Sequence, residues 1–127
     1  MRSRVPVTVA ELEKLPGVGP YAANAFASFH ADQRGVLLDS NIVRFYGRLL
    51  GLKTGPETRR SRLFREIAEV VTPDHRTKRY NYSVLDFTRR VCTTRPLCSE
   101  CPLQACCAYR IEAIQRQGSA GLVLAAP

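Results

Sequence analysis

Residues 15–25 read LPGVGPYAANA, and this stretch predicts a tight turn between two helices. Glycines at 17 and 19 let the backbone turn with positive φ and let another backbone approach closely. Pro20 suits the first position of the second helix, where its missing N–H costs nothing. The free N–H groups at the start of that helix form a site suited to phosphate. A plain helix–turn–helix connection with a glycine C-cap is the simpler alternative.

On both sides of this turn, apolar residues recur at helical spacing, and no segment alternates convincingly as a strand would. Thr8 and Glu11 form a capping box for the first helix. Helices are predicted over residues 8–15, 21–30, 40–50, 57–71 and 78–91, with a helical turn or two after residue 110. The sides predicted to be buried include Leu50, Leu63, Val70, Val71 and Tyr82. The predicted fold class is all-α.

The composition points to a globular protein with a polyanionic partner. The chain has 127 residues, which suits one small domain or a piece of a larger one, and 45% of them are hydrophobic. Nineteen basic and 11 acidic side chains give a net charge of +8. Most of the basic residues are arginines, whose forked guanidinium groups bind phosphate bidentately. A soluble basic protein without such a partner is the alternative.

No apolar run of about 18 residues is present, so we expect no membrane span. The first residues also lack an apolar stretch long enough for a signal peptide. We therefore expect a cytoplasmic protein, in which thiols stay reduced.

All five cysteines fall within residues 92–107, CTTRPLCSECPLQACC, and four of them are spaced as metal ligands. They are Cys92, Cys98, Cys101 and Cys107, and Cys106 precedes the last of them. Intervals of five, two and five residues put four thiolates within reach of one metal centre. Disulfides are disfavoured in a reducing compartment. Zinc and a [4Fe–4S] cluster both need four thiolates, and the spacing leaves both open, with Cys106 as an alternative fourth ligand.

Asp39 follows the apolar residues Val36, Leu37 and Leu38 and precedes a predicted helix. A carboxylate held near a sugar C1′ can stabilise the positive charge that develops when a glycosidic bond breaks. From the residues alone, however, a plain N-cap aspartate is the favoured interpretation.

Four blocks together resemble a known family. LPGVGPYAANA, LLDSNIVRFYGRL, NYSVLDFTRRVC and the cysteine loop occur in the order found in helix-hairpin-helix DNA glycosylases of the endonuclease III superfamily. Over about residues 8–110 the chain is most similar to A/G-specific adenine DNA glycosylases and thymine–guanine mismatch glycosylases. The resemblance implies a base-excision repair enzyme that acts on double-stranded DNA. It would remove adenine opposite oxidised guanine, or thymine opposite guanine.

The resemblance also implies catalytic roles. Asp39 and Asn41 match the family's Asp-x-Asn motif, in which the aspartate stabilises the transition state and the asparagine helps to orient the site. Tyr21 stands where bifunctional members have a lysine nucleophile. Because tyrosine lacks the amine that a Schiff base requires, the resemblance implies a monofunctional glycosylase. An exposed aromatic residue in the first turn of a helix is the simpler interpretation of Tyr21.

The DNA contacts and the metal ligands follow from the same resemblance. Gly17, Val18 and Gly19 would grip the DNA backbone through their amides, often with a bound monovalent cation. The family's cluster loop has a first interval one residue longer than here, and its other two intervals match. It implies that Cys92, Cys98, Cys101 and Cys107 hold a structural [4Fe–4S] cluster. The basic candidates for DNA contact are Arg44, Arg48 and Arg95.

The domain organisation implied is a partial helix-hairpin-helix core at 1–91, a cluster loop at 92–107 and a C-terminal tail at 108–127. Family members carry a long helical segment upstream of the hairpin, including a glutamate that protonates adenine, whereas this chain has only a short segment there. We therefore expect the N-terminal helical barrel domain to be largely absent. We also expect a nucleoid-associated monomer. The alternative function is a non-catalytic DNA-binding module, or a truncated remnant, that keeps the hairpin and the cluster.

Overall fold

The computed structural model describes the backbone of residues 4–125 and the side chains of residues 4–119. Within that range the structure contains helices and no strand, so the predicted all-α class is confirmed. The helices are α1 (Val9–Leu12), α2 (Pro20–His30), α3 (Ser40–Leu50), α4 (Arg62–Val71), α5 (Thr77–Arg90) and α6 (Ala108–Ala125). Short 3₁₀ turns lie at Thr58–Arg60 and Cys98–Glu100. None of the described helices is long and apolar enough to cross a membrane.

Three helices differ from the sequence prediction. α1 has only four residues, because the amides of Lys14 and Leu15 already donate to carbonyls three residues back. α4 begins at residue 62 instead of 57, because the Ser61 hydroxyl accepts from the Phe64 amide and starts the helix there. α6 continues to residue 125, where a turn or two was predicted. Its sequence lacks apolar periodicity but is rich in strong helix formers.

The core lies where α3, α4 and α5 meet. Its buried members are Leu37, Ile42, Val43, Tyr46, Phe64, Ala68, Val84 and Leu85. A second, smaller cluster of Leu12, Ala23 and Ala27 joins α1 to α2. Five residues predicted to be buried are exposed instead, namely Leu50, Leu63, Val70, Val71 and Tyr82. The apolar stripe of α4 is wider than its contact with the core, which buries only Phe64 and Ala68.

α2 and α5 lie side by side in opposite directions. Near one end of the pair, the rings of Phe29 and Tyr82 stack with their centroids 4.4 Å apart. At the same end, the side chains of Ser28 and Asn81 are hydrogen-bonded. α3 packs against both α5 and α6. This arrangement places the start of α2, the start of α3 and the end of α5 close to one another.

Candidate active site and cysteine loop

Asp39 immediately precedes α3 and caps it. Its Oδ1 accepts a hydrogen bond from the Ile42 amide at 2.8 Å. Such a cap stabilises a helix by about 1 kcal/mol. Among the described residues Oδ2 accepts no hydrogen bond, so one oxygen serves the helix and the other is free for a ligand. The structural and catalytic interpretations of Asp39 are therefore compatible with each other.

Tyr21 lies in the first turn of α2, and the charge of Asp39 affects its pKa. Partial burial, followed by the negative charge of Asp39, raises the pKa of the Tyr21 phenol above its ordinary value. The positive charge of Arg89, near the end of α5, acts in the opposite direction. The structure thus places Tyr21 where the charge of Asp39 acts on it, and the catalytic roles of the two residues stay predictions. It adds Arg89, which the sequence did not single out because its neighbours are distant along the chain.

A groove of about 140 Å³ runs between α2 and α4 beside Tyr21. Its walls are partly apolar and include Pro20, Val36, Leu38 and Ala68. Its polar lining consists of Tyr21, Asn24, Arg59, Arg65 and Glu69. The groove therefore offers apolar surface and two guanidinium groups next to the Tyr21–Asp39 pair.

The hairpin between α1 and α2 presents glycine backbone outward. Gly17 has a φ of +78°, which a residue with a side chain rarely adopts. A Cβ at Gly17 or Gly19 would meet no atom within 4 Å, and neither amide donates to another described residue. Val18 differs, because its amide donates to the Leu15 carbonyl at 3.2 Å and its side chain packs on the smaller core cluster. Its amide is therefore engaged within the turn, and its role in gripping DNA stays a prediction.

Arg44 and Arg48, predicted as DNA contacts, point toward the cysteine loop. Arg44 donates to the carbonyls of Cys92 (2.8 Å) and Thr88 (3.2 Å), and to Oδ1 of Asn41 (2.9 Å). Arg48 donates to the carbonyls of Thr93 and Thr94, and it lies over the Tyr109 ring at 5.0 Å. Both guanidinium groups therefore tie α3 to the loop, a role that the sequence did not reveal. Arg95 is exposed within the loop, as a phosphate contact requires.

Four cysteines line one cavity between the loop, α3 and the start of α6. They are Cys92, Cys98, Cys101 and Cys107, and the rest of the wall includes Phe45, Leu49 and Phe87. Cys106 does not line it, because its thiol is exposed and donates to the Leu103 carbonyl. In the part of the chain that the structure describes, no three His, Cys, Asp or Glu side chains are close enough to hold a single metal ion.

The surroundings of the four thiols fit an anionic metal–thiolate group. The Leu103 amide donates to Sγ of Cys101 at 3.4 Å, and Arg48 donates to Sγ of Cys92 at 3.6 Å. Arg110 lines the same cavity, and its buried Nε has no hydrogen-bond partner among the described residues. N–H groups directed at sulfur stabilise and tune thiolate-bound metal centres. The donor set and its cations therefore suit such a group.

Arg44→Met should lower the free energy of unfolding by about 2–4 kcal/mol, because it leaves half-buried carbonyls without their charged donor. Denaturant titration measures this loss. Arg62→Met is the matched control, since the Arg62–Glu66 ion pair is exposed and should contribute less than about 1 kcal/mol. Equal effects of the two replacements would show that Arg44 does not fasten the loop.

Comparison with known proteins shows which proteins the chain resembles. Residues 2–29 match the family model described as the helix-hairpin-helix motif. The chain is 36% identical over 110 residues to a thymine-DNA glycosylase of Aeropyrum pernix. It is 31% identical over 115 residues to an adenine DNA glycosylase of Buchnera aphidicola. By sequence and fold, the chain is similar to part of the helix-hairpin-helix DNA glycosylases.

Solved glycosylase structures support the same family. A thermostable thymine-DNA glycosylase superposes with a TM-score of 0.77 and 27% identity, covering 86% of this chain and 51% of that one. A non-covalent endonuclease III–DNA complex superposes with a TM-score of 0.71 and 26% identity, covering 88% and 51%. The matched relatives are longer: 84% of this chain covers 49% of the Aeropyrum glycosylase, and 86% covers 32% of the Buchnera glycosylase. The resemblance to the endonuclease III superfamily is confirmed, and the individual site residues stay predictions.

Proposed function

We propose that this chain supplies the helix-hairpin-helix part of a monofunctional base-excision repair glycosylase. The substrate would be double-stranded DNA containing adenine opposite oxidised guanine or thymine opposite guanine. The observation that carries the proposal is the placement of Asp39 at the start of α3, where Oδ1 caps the helix and the charge acts on Tyr21 in the first turn of α2. The family assignment supports it, since the matched relatives are DNA glycosylases and one structural neighbour is bound to DNA.

Asp39 would stabilise the transition state. As the bond from C1′ to the base nitrogen breaks, positive charge develops on the sugar, and a fixed carboxylate opposes that charge. Water then adds to C1′, and the base leaves with a proton. Oδ2 of Asp39 is the oxygen available for this task, because Oδ1 is held by the α3 cap. Asn41 is held by Arg44 through its Oδ1, which leaves its Nδ2 free to orient a substrate group.

Tyr21 would keep the reaction monofunctional. A phenol cannot form the Schiff base through which a lysine at this place would cleave the strand. A tyrosine hydroxyl is protonated at neutral pH, and the raised pKa of Tyr21 favours that form further, so it can donate a hydrogen bond near the scissile bond. The expected product is therefore an abasic site in an intact strand.

DNA would be held by backbone and by charge. The amides of Gly17 and Gly19 can bind a DNA phosphate, with a monovalent cation at the hairpin as a further ligand. Arg95 would contact phosphate from the cysteine loop. Arg44 and Arg48 would act indirectly, by holding that loop against α3. The net charge of +8 favours association with a polyanion.

A [4Fe–4S] cluster held by Cys92, Cys98, Cys101 and Cys107 is the proposed cofactor. Their shared cavity and its N–H donors support this assignment. When bound, the cluster would cross-link the segment that follows α5 to the start of α6, because Cys92 and Cys107 lie at the two ends of the loop. Iron and sulfide analysis of anaerobically purified protein tests the assignment, and stoichiometric zinc without iron would contradict it.

Excision assays on duplexes that differ at one base pair test the function. We expect alkali-labile abasic sites with adenine opposite 8-oxoguanine or thymine opposite guanine, and none with adenine opposite thymine. No strand break should appear before alkali treatment. Tight binding to the mismatched duplexes without any abasic product would instead support the non-catalytic DNA-binding module.

A further inference from the structure

The peptide group between Gly35 and Val36 is held from both sides by asparagine side chains. Its N–H, on Val36, donates to Oδ1 of Asn24 at 2.8 Å. Its carbonyl, on Gly35, accepts from Nδ2 of Asn81 at 2.8 Å. Asn24 belongs to α2 and Asn81 to α5, so one peptide of the connector between α2 and α3, residues 31–39, is fixed to two helices.

Each asparagine is itself held by a second hydrogen bond. Nδ2 of Asn24 donates to the Pro20 carbonyl at 2.7 Å, in the first turn of α2. Nδ2 of Asn81 also donates to the Ser28 hydroxyl at 2.8 Å, in the last turn of α2. Neither amide can rotate without losing a bond. The connector is therefore registered against α2 at two points along that helix.

Gly35 brings the connector into direct contact with the α2 backbone. A Cβ at this position would lie 2.1 Å from the Asn24 carbonyl oxygen and 2.9 Å from its carbon. Both atoms belong to a helix backbone, so they cannot give way as a flexible side chain could. Glycine is required here by close packing, and that packing fixes the separation between the connector and α2.

The position of the Gly35–Val36 peptide constrains the position of Asp39, because only a few residues separate them. After the Gly35–Val36 peptide, the connector continues through Leu37, which is 2% exposed. Asp39 follows two residues later. On the α2 side, Asn24 holds the turn that contains Tyr21. Asn24 also lines the groove beside Tyr21. One side chain thus links the two segments whose meeting forms the candidate active site.

Asn81 is 2% exposed, and a buried amide is costly unless its bonds are made. An apolar residue could fill such a site, but it would not select one position of the connector. Satisfied buried polar contacts fix a single arrangement, because every alternative leaves a donor or acceptor unpaired.

We propose that Asn24 and Asn81 are positioning residues that set the placement of Asp39 against the first turn of α2. The catalytic importance of this placement rests on the proposed function, in which the Asp39 carboxylate must lie near C1′ of the sugar. The placement itself can be measured without any substrate.

The test measures how strongly Asp39 and Tyr21 interact. NMR titration of the Tyr21 ring should show its pKa falling when Asp39 is replaced by asparagine, because a nearby negative charge is lost. In an Asn24→Ala background, the same replacement should lower the Tyr21 pKa by less than half as much. Alanine is the strongest helix former, so α2 should remain intact in this variant. Asn81→Ala should weaken the interaction in the same way.

Thr72→Val is the matched control, because it removes a different buried hydrogen bond, to the Ala68 carbonyl, outside the connector. It should leave the interaction at its full size while lowering stability. An undiminished interaction in both asparagine variants would overturn the proposal. Failure of the wild-type chain to excise any base would count against the proposed function alone. If excision occurs, Asn24→Ala should lower kcat more than it changes KM.

Discussion

Replacing Asp39 by asparagine should lower the excision rate by about 10²–10³-fold, the size expected when a fixed electrostatic stabiliser is lost. The replacement removes the negative charge and retains the shape. Asparagine caps helices as well as aspartate does, so the Ile42 amide should keep its partner and α3 its start. Single-turnover excision measures the chemical step, and thermal unfolding checks that the fold is retained.

Two further variants separate catalysis from capping. Asp32→Asn is a matched control, because Asp32 is exposed and its positive φ of 51° suits asparagine equally well. It should excise at the wild-type rate. Asp39→Ala should lose the cap as well as the charge, and with them about 1 kcal/mol of stability. Full activity in Asp39→Asn would reduce Asp39 to an ordinary helix cap.

Cys98→Ser should abolish stoichiometric metal binding and lower Tm by about 10 °C or more, since metal binding and folding are linked. Cys98 lies in the loop and faces the common cavity, and serine is a poor replacement for a thiolate. Iron analysis, visible absorption and thermal unfolding of anaerobically purified protein measure the effect.

Cys106→Ser is the control that the chain itself provides. Cys106 adjoins Cys107 but is exposed and lies outside the cavity. Its replacement should leave the metal content and Tm unchanged. If Cys106→Ser loses the metal and Cys107→Ser retains it, the fourth ligand has been assigned to the wrong neighbour.

Local signals in the sequence were sufficient for the helices nearest the site. Pro20 opens α2, and the Asp39 cap and Gly51, with a φ of 71°, bound α3. Local signals could not predict which side chains of α4 are buried. Leu63 and Val70 have helical spacing, yet Val70 is 84% exposed, because spacing defines a face without saying what covers it.

Some residues of the candidate site could likewise be predicted from the sequence, and others could not. Asp39 and Tyr21 could be named from motifs, because each lies beside a local signal. The contacts of Arg44 and Arg48 join residues far apart in the chain, and basic side chains on a helix are indistinguishable from phosphate contacts in sequence alone. Asn24 and Asn81 lie inside blocks that carry the resemblance, yet no role was predicted for either, since their importance arises only when α2, α5 and the connector pack together.

The hairpin has a consequence for how the chain can evolve. Gly17 is constrained by its own backbone, because its positive φ disfavours any side chain. Gly19 is not, since its φ is −87° and a Cβ there would meet nothing within 4 Å. The folded chain by itself would accept alanine at position 19. Purifying selection against alanine at that position would therefore act through a molecule that presses against the hairpin, and the fold alone would not cause it.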